Sequence, residues 1–92
     1  MINQQELVAD IAAISGLKRQ QAEAALSATL EAITRALGRG EKVSLHTFGA
    51  FQLRERAERR QFNPSSREYM TLHAAVIPVF KPSKKLTERL NA

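Results

Sequence analysis

The 92-residue chain predicts an α+β fold. Its parts are a helical hairpin base, a three-stranded antiparallel sheet with a long extended β-arm, and a short C-terminal helix. Three observations carry this. Apolar residues recur at helical spacing before Gly38 and Gly40, and at every second position from Lys42 onward. The second period then continues from Arg54 to His73 with too few apolar residues to make a core. Past that stretch, an apolar strand and a short basic helix close the chain.

The first helix starts at Asn3, whose side chain can cap it, with Glu6 three positions on to complete a capping box. Leu7, Ile11 and Ile14 recur along it, with Val8 and Ala12 beside them, and Gly16 ends it as a left-handed cap. A second helix is expected from about Lys18 to Leu37 on the stripe Ala22, Leu26, Leu30, Ile33, Leu37, and Gly38 and Gly40 stop it. So short a turn between the helices folds them back as a hairpin. Val43 and Leu45 alternate with Ser44 and His46, which predicts a strand. Thr47-Phe48-Gly49 is a tight turn, with Gly49 the residue expected at positive φ. Phe51 and Leu53 alternate with Gln52 and Arg54, so Arg54 and Arg56 share a face. Asn63-Pro64-Ser65-Ser66 predicts a turn, and Glu68 to His73 returns with Tyr69, Thr71 and His73 opposite Met70 and Leu72. Pro78 confines the apolar strand Ala75 to Phe80 to an edge or bulge. Pro82 is expected to open the last helix, which carries Lys84, Lys85 and Arg89 outward and buries Leu86 and Leu90.

Length and composition bound the function. A chain this short makes one domain at most, and a second copy is a natural way to enlarge its core. The absence of cysteine excludes disulfides and thiolate metal sites and fits a reducing compartment. MINQQELVAD lacks a basic region followed by an apolar stretch, so no signal peptide is expected, and no apolar run is long enough to span a membrane. The net charge of +5 is unevenly spread. Residues 1–53 carry five basic and five acidic side chains; residues 54–92 carry nine basic and four acidic. A neutral scaffold with a basic working part points to a polyanionic partner. An isolated two-stranded arm is marginally stable in water, so the stretch 54–73 is expected to serve contact rather than the core. It also holds Phe62 in a polar loop, RRQFNPSSRE, with no neighbouring apolar run to bury it.

The pieces Gly16-Leu17, Gly40-Glu41-Lys42-Val43, Phe48-Gly49-Ala50-Phe51, Arg54-Glu55-Arg56-Ala57, Asn63-Pro64, Glu68 and Pro78-Val79-Phe80-Lys81-Pro82 are together highly specific. Over essentially the whole chain they resemble the HU/IHF family of bacterial nucleoid DNA-bending proteins. The resemblance implies an intertwined dimer of a single domain, residues 1–92, with 1–53 and 74–92 as the dimer body and 54–73 as the arm. Two arms would reach around the minor groove of double-stranded DNA with little sequence preference. Pro64 would wedge between base pairs and kink the duplex. Arg54, Arg56, Arg59, Arg60, Arg67, Lys81, Lys84 and Lys85 would contact the phosphate backbone, and Asn63 base edges or sugars. Bent, nicked or flexible duplexes would bind better, because they lower the deformation cost. The family is cytoplasmic and nucleoid-associated, and the resemblance implies no cofactor and no enzyme chemistry.

Several positions depart from the family pattern. Phe62 stands where arginine is usual, Gln61 and Arg67 where glycine is usual, and phage-encoded members can carry an aromatic at the Phe62 position. Phe62 is expected to act as a second wedge beside Pro64 or to stack on sugars beside it; the competing expectation is that it packs on Tyr69 or Met70 across the arm and stiffens the hairpin. Lys18 replaces a serine or threonine cap, which predicts a loss of roughly 0.5–2 kcal/mol. Val76 replaces a lysine, Ser83 a glycine and His73 a proline. These changes suggest a divergent, phage-type or plasmid copy. His46 and His73 lack metal spacing, Ser65 and Ser66 are turn residues, and Glu41 beside Lys42 is expected as a solvated pair opening a strand. Phe48, Phe51 and Phe80 are expected in the dimer core. Alternatives are an IHF-like subunit of a heterodimer with a preferred site, and a protein-interaction module that has lost DNA affinity. RNA binding is a weaker third reading, since the exposed aromatics are few.

Overall fold

The computed structural model describes all 92 residues, Met1–Ala92. Its contacts fall into two units, Met1–Arg35 and Ala36–Ala92.

In the first unit, α1 (Gln4–Ser15) begins where Asn3 accepts a hydrogen bond from the Glu6 N–H at 2.9 Å. It ends at Gly16, whose φ of 79° is the left-handed cap its position predicts. Helix α2 spans Arg19–Gly38, and most of it lies in this unit. Lys18 offers no capping oxygen, but Gln21 three residues on accepts from the Lys18 N–H at 3.0 Å. That is the returning half of a capping box, and it offsets part of the expected loss. Arg19 donates to the Gln5 side chain at 2.9 Å and ties the first turns of the two helices together. Val8 and Ala22 are the only buried apolar residues of the chain. Ile14, expected on the buried stripe, is 87% exposed, because nothing in the single chain covers that end of α1.

The second unit opens with the end of α2. Gly40 takes φ 79°, its N–H reaches the Leu37 carbonyl and the Glu41 N–H reaches the Ala36 carbonyl. This Schellman arrangement makes Gly40 the terminator, while Gly38 is still helical. Three strands follow in the order β1-β2-β5: β1 Val43–Leu45, β2 Gly49–Arg56 and β5 Ala75–Pro82, all antiparallel. Strand β5 is an edge, which is where Pro78 can sit without breaking a ladder. The arm is a separate two-stranded ladder, β3 Arg59–Asn63 with β4 Glu68–Leu72. Arg56↔Ala75 is the last pair of the sheet and Arg59↔Leu72 the first of the arm. Two residues are unpaired on each side, Ala57-Glu58 and His73-Ala74, so the register carries through the gap.

Two turn assignments change. Thr47, not Gly49, takes positive φ, at 62°. Gly49 is a buried strand residue; a Cβ there would lie 2.5 Å from the Lys81 carbonyl oxygen and 2.6 Å from the Phe80 ring. Its glycine is required by close approach, not by backbone angle. Likewise Pro82 ends β5, and Ser83 is the cap of α3 (Lys84–Leu90), accepting from the Leu86 N–H at 3.1 Å. Leu90, expected to be buried, is 76% exposed at the end of that short helix. The apolar face of the sheet gathers around Phe80, whose ring centroid lies 5.4 Å from that of Phe48 and 4.9 Å from that of Phe51.

Candidate nucleic-acid interface

Strand pairing sorts the basic residues. Directly opposed residues of an antiparallel pair share a face. Ala50↔Lys81, Arg54↔Ile77 and Arg56↔Ala75 therefore put Lys81, Arg54 and Arg56 on one face of the sheet. The opposite face holds Phe51, Leu53, Val76 and Phe80. One face thus carries the three cations beside half-buried Ile77 and Val79, and the other carries the large apolar side chains, with Leu53, Val76 and Phe80 exposed in the single chain. Lys84 and Lys85 follow on α3, placed by the Ser83 cap and by the Ser83 N–H bonded to the Phe48 carbonyl at 2.9 Å.

The arm sorts in the same way. Arg60, Phe62, Tyr69 and Thr71 share one face; Arg59, Gln61, Asn63, Glu68, Met70 and Leu72 share the other. Phe62 and Tyr69 are direct cross-strand partners, with ring centroids 5.4 Å apart in an edge-to-face arrangement. The Arg60 guanidinium lies 4.9 Å over the Tyr69 ring. Phe62 therefore has the cross-strand partner that the competing expectation assigned to it, while remaining 49% exposed.

At the tip, the Asn63 side-chain oxygen accepts from the Ser65 N–H at 2.9 Å, and its amide nitrogen meets the Met70 sulfur at 3.6 Å. Asn63 is thus occupied in shaping the turn that carries exposed Pro64. Arg67, in place of a glycine, takes φ 59° and closes the turn by donating its N–H to the Asn63 carbonyl at 2.8 Å.

The state of the cations is informative. Of Arg54, Arg56, Arg59, Arg60, Arg67, Lys81, Lys84 and Lys85, only Lys84 lies near a carboxylate, Glu88 at a loose 3.9 Å. The remaining ion pairs, Arg35 with Glu31 and Arg39 with Glu41, are elsewhere and exposed to solvent. Arg56 differs from the others. Its Nη2 donates to the His73 carbonyl at 3.0 Å across the gap between the two ladders, and its Nε is buried without a partner. Part of this side chain ties the root of the arm.

Two of these features went unread in the sequence. Arg60 on Tyr69 was legible only once the turn length set Phe62 opposite Tyr69. The Arg56 tie ends on a backbone carbonyl, which leaves no residue-type signal.

A family model described as bacterial DNA-binding protein matches residues 2–91. DNA-binding protein HU of Lactococcus lactis is 43% identical over 88 residues, covering 96% of this chain and 97% of that protein. HU of Geobacillus stearothermophilus is 42% identical over 87 residues, with coverage of 95% and 97%. The Anabaena HU chain from a cocrystal with DNA superposes with a TM-score of 0.90 at 38% identity, covering 97% of each chain.

Proposed function

The chain belongs to the HU family of bacterial DNA-binding proteins, and on that premise we propose that it is an architectural protein, not an enzyme, that binds and bends duplex DNA as a homodimer. The observation that carries this reading is the set of cations on one sheet face, the arm and α3, of which only Lys84 has a carboxylate nearby. Cations left free by the protein are available to phosphates, and the counterions they displace supply sequence-independent affinity. The arms lie along the minor groove. Pro64, rigid and exposed at the tip, enters a base step; unstacking costs on the order of a few kcal/mol and is offset by the extra DNA wrapped against basic surface. Phe62 flanks the wedge from its place on Tyr69. The dimer is supported by the apolar surface the single chain leaves in water: Leu7, Leu30, Phe48, Leu53, Val76 and Phe80 are all exposed. A patch set of this extent needs a covering partner. A second copy of the chain provides it at no cost in sequence. The HU family acts in the bacterial nucleoid, and no helix here is long and apolar enough to cross a membrane.

The test is a salt titration of binding to a short intact duplex and to the same duplex carrying a nick. The expected result is a log–log slope of ~0.9 per phosphate contact, with tighter binding to the nicked duplex. Pro64→Ala is expected to weaken the intact duplex more than the nicked one, because a prebent site needs less wedging. Absence of binding to either duplex at low salt would overturn the proposal.

A further inference from the structure

The arm face that carries Arg60 and Phe62 also carries Tyr69, which phosphate contacts and the wedge leave without a role. Phe62 is 49% and Tyr69 65% exposed even though their rings touch. Both rings lie on the arm face that also carries Arg60. The arm's one acidic strand residue, Glu68, lies on the other face, opposite Asn63. Arg60 is stacked on Tyr69 and has no carboxylate partner. A stacked guanidinium keeps its in-plane N–H groups free for an anion. The face is thus a short apolar ledge edged by fixed donors, without negative charge.

The wall of a DNA minor groove has the complementary chemistry: the C–H surface of deoxyribose beside a row of phosphates. We propose that Arg60, Phe62 and Tyr69 form one preassembled ledge that packs against deoxyribose. In this ledge Tyr69 is a DNA-contacting residue and the source of a preference for DNA over RNA. In an RNA duplex the same wall carries 2′-hydroxyls. Packing them on the rings strips them of water with no acceptor in return, apart from the single Tyr69 hydroxyl. The inference rests on the DNA-binding reading above and adds to it which arm face meets the sugar, and what that face rejects.

Tyr69 is the sole tyrosine, so 3-fluorotyrosine incorporated into the full-length protein places one ¹⁹F probe on this ledge. The protein would be titrated with a labelled DNA duplex and with an RNA duplex of the same sequence. Anisotropy of the nucleic acid reports binding, and the fluorine resonance reports the ring. With DNA, the resonance is expected to move and its water-to-D₂O isotope shift to shrink as solvent leaves the ring. Tyr69→Ser should lower the DNA-to-RNA affinity ratio by about 5- to 10-fold, the loss of one packed ring. Tyr69→Phe should preserve the ratio. Binding of DNA with an unchanged resonance and isotope shift would overturn the ledge while leaving the DNA-binding reading intact. So would a Tyr69→Ser ratio equal to that of the unaltered protein. The fluorine measurement needs no destabilising substitution, so it decides the matter even if Tyr69→Ser melts the arm. Failure to bind DNA at all would overturn both readings together.

Discussion

The sheet and the arm are built by one rule and end in different states. Both are antiparallel, both alternate at a period of two, and they share one register across a two-residue gap. In the sheet, three aromatic rings converge around Phe80 and Gly49 is buried beneath them. In the arm, two rings and a guanidinium lie along a ribbon that nothing covers. A ladder of backbone hydrogen bonds is therefore not what separates scaffold from contact surface. Convergence of the side chains is, since the sheet gathers its rings over a buried Gly49 and the arm spreads its own in a single row. The turns repeat the contrast. Thr47 and Arg67 both adopt left-handed angles unusual for their residue types. The Thr47 turn is braced by its neighbours, through the Phe48 N–H to Leu45 and the Ser83 N–H to Phe48. The Arg67 turn is held only by its own Asn63. Strain of this kind persists where surrounding structure enforces it.

The strongest way to break the comparison is Gly49→Ala. The new methyl would meet backbone and a packed ring at 2.5–2.7 Å, and neither can move freely. The expected cost is about 2–3 kcal/mol, a fall in Tm of about 10–20 °C for a domain of this size, read by thermal unfolding followed by circular dichroism. An unchanged Tm would show that the sheet is as loosely covered as the arm. Next in size is Ser83→Ala, which removes the cap of a seven-residue helix attached to the sheet. About 1 kcal/mol of stability should be lost. Amide exchange should rise at Leu86, whose N–H loses its acceptor. The smallest and most local effect is Arg67→Gly. Relieving the left-handed penalty should stabilise the arm ladder by roughly 1 kcal/mol without altering the global Tm. It should slow amide exchange in β3 and β4 while reducing the salt slope of DNA binding by the ~0.9 of one phosphate contact. If the global Tm rose instead, the arm would be part of the cooperative unit.

Local chemistry was legible in the residues. Asn3, Gly16, Gly40 and Pro78 each act through their own backbone or the next turn, so spacing alone located both helices and the edge strand. The alternation of Arg54 and Arg56 with Phe51 and Leu53 placed a cationic face behind an apolar one for the same reason. Other positions depended on what lay across space. Gly49 reads as a turn residue in the sequence because its constraint comes from Lys81 and Phe80, more than thirty residues away. Pro82 is the exception on the local side: Ser83 caps the helix through the Leu86 N–H three residues on, a signal present in the residues, while Pro82 is drawn into the strand by its pairing with Gly49. Ile14 and Leu90 were assigned to a core by periodicity. Periodicity shows which side of a helix is apolar, but burial needs a surface to cover that side, and the single chain has none. Arg56 on the His73 carbonyl and Arg60 on Tyr69 were likewise settled by strand register, which brings together residues far apart in sequence. The sequence by itself determined the elements, their order and the sign of each face, because these follow from interactions within a few residues. Tertiary structure alone decided which residues touch across the ribbon and which apolar surface stays in water, because both depend on distances that no local pattern encodes.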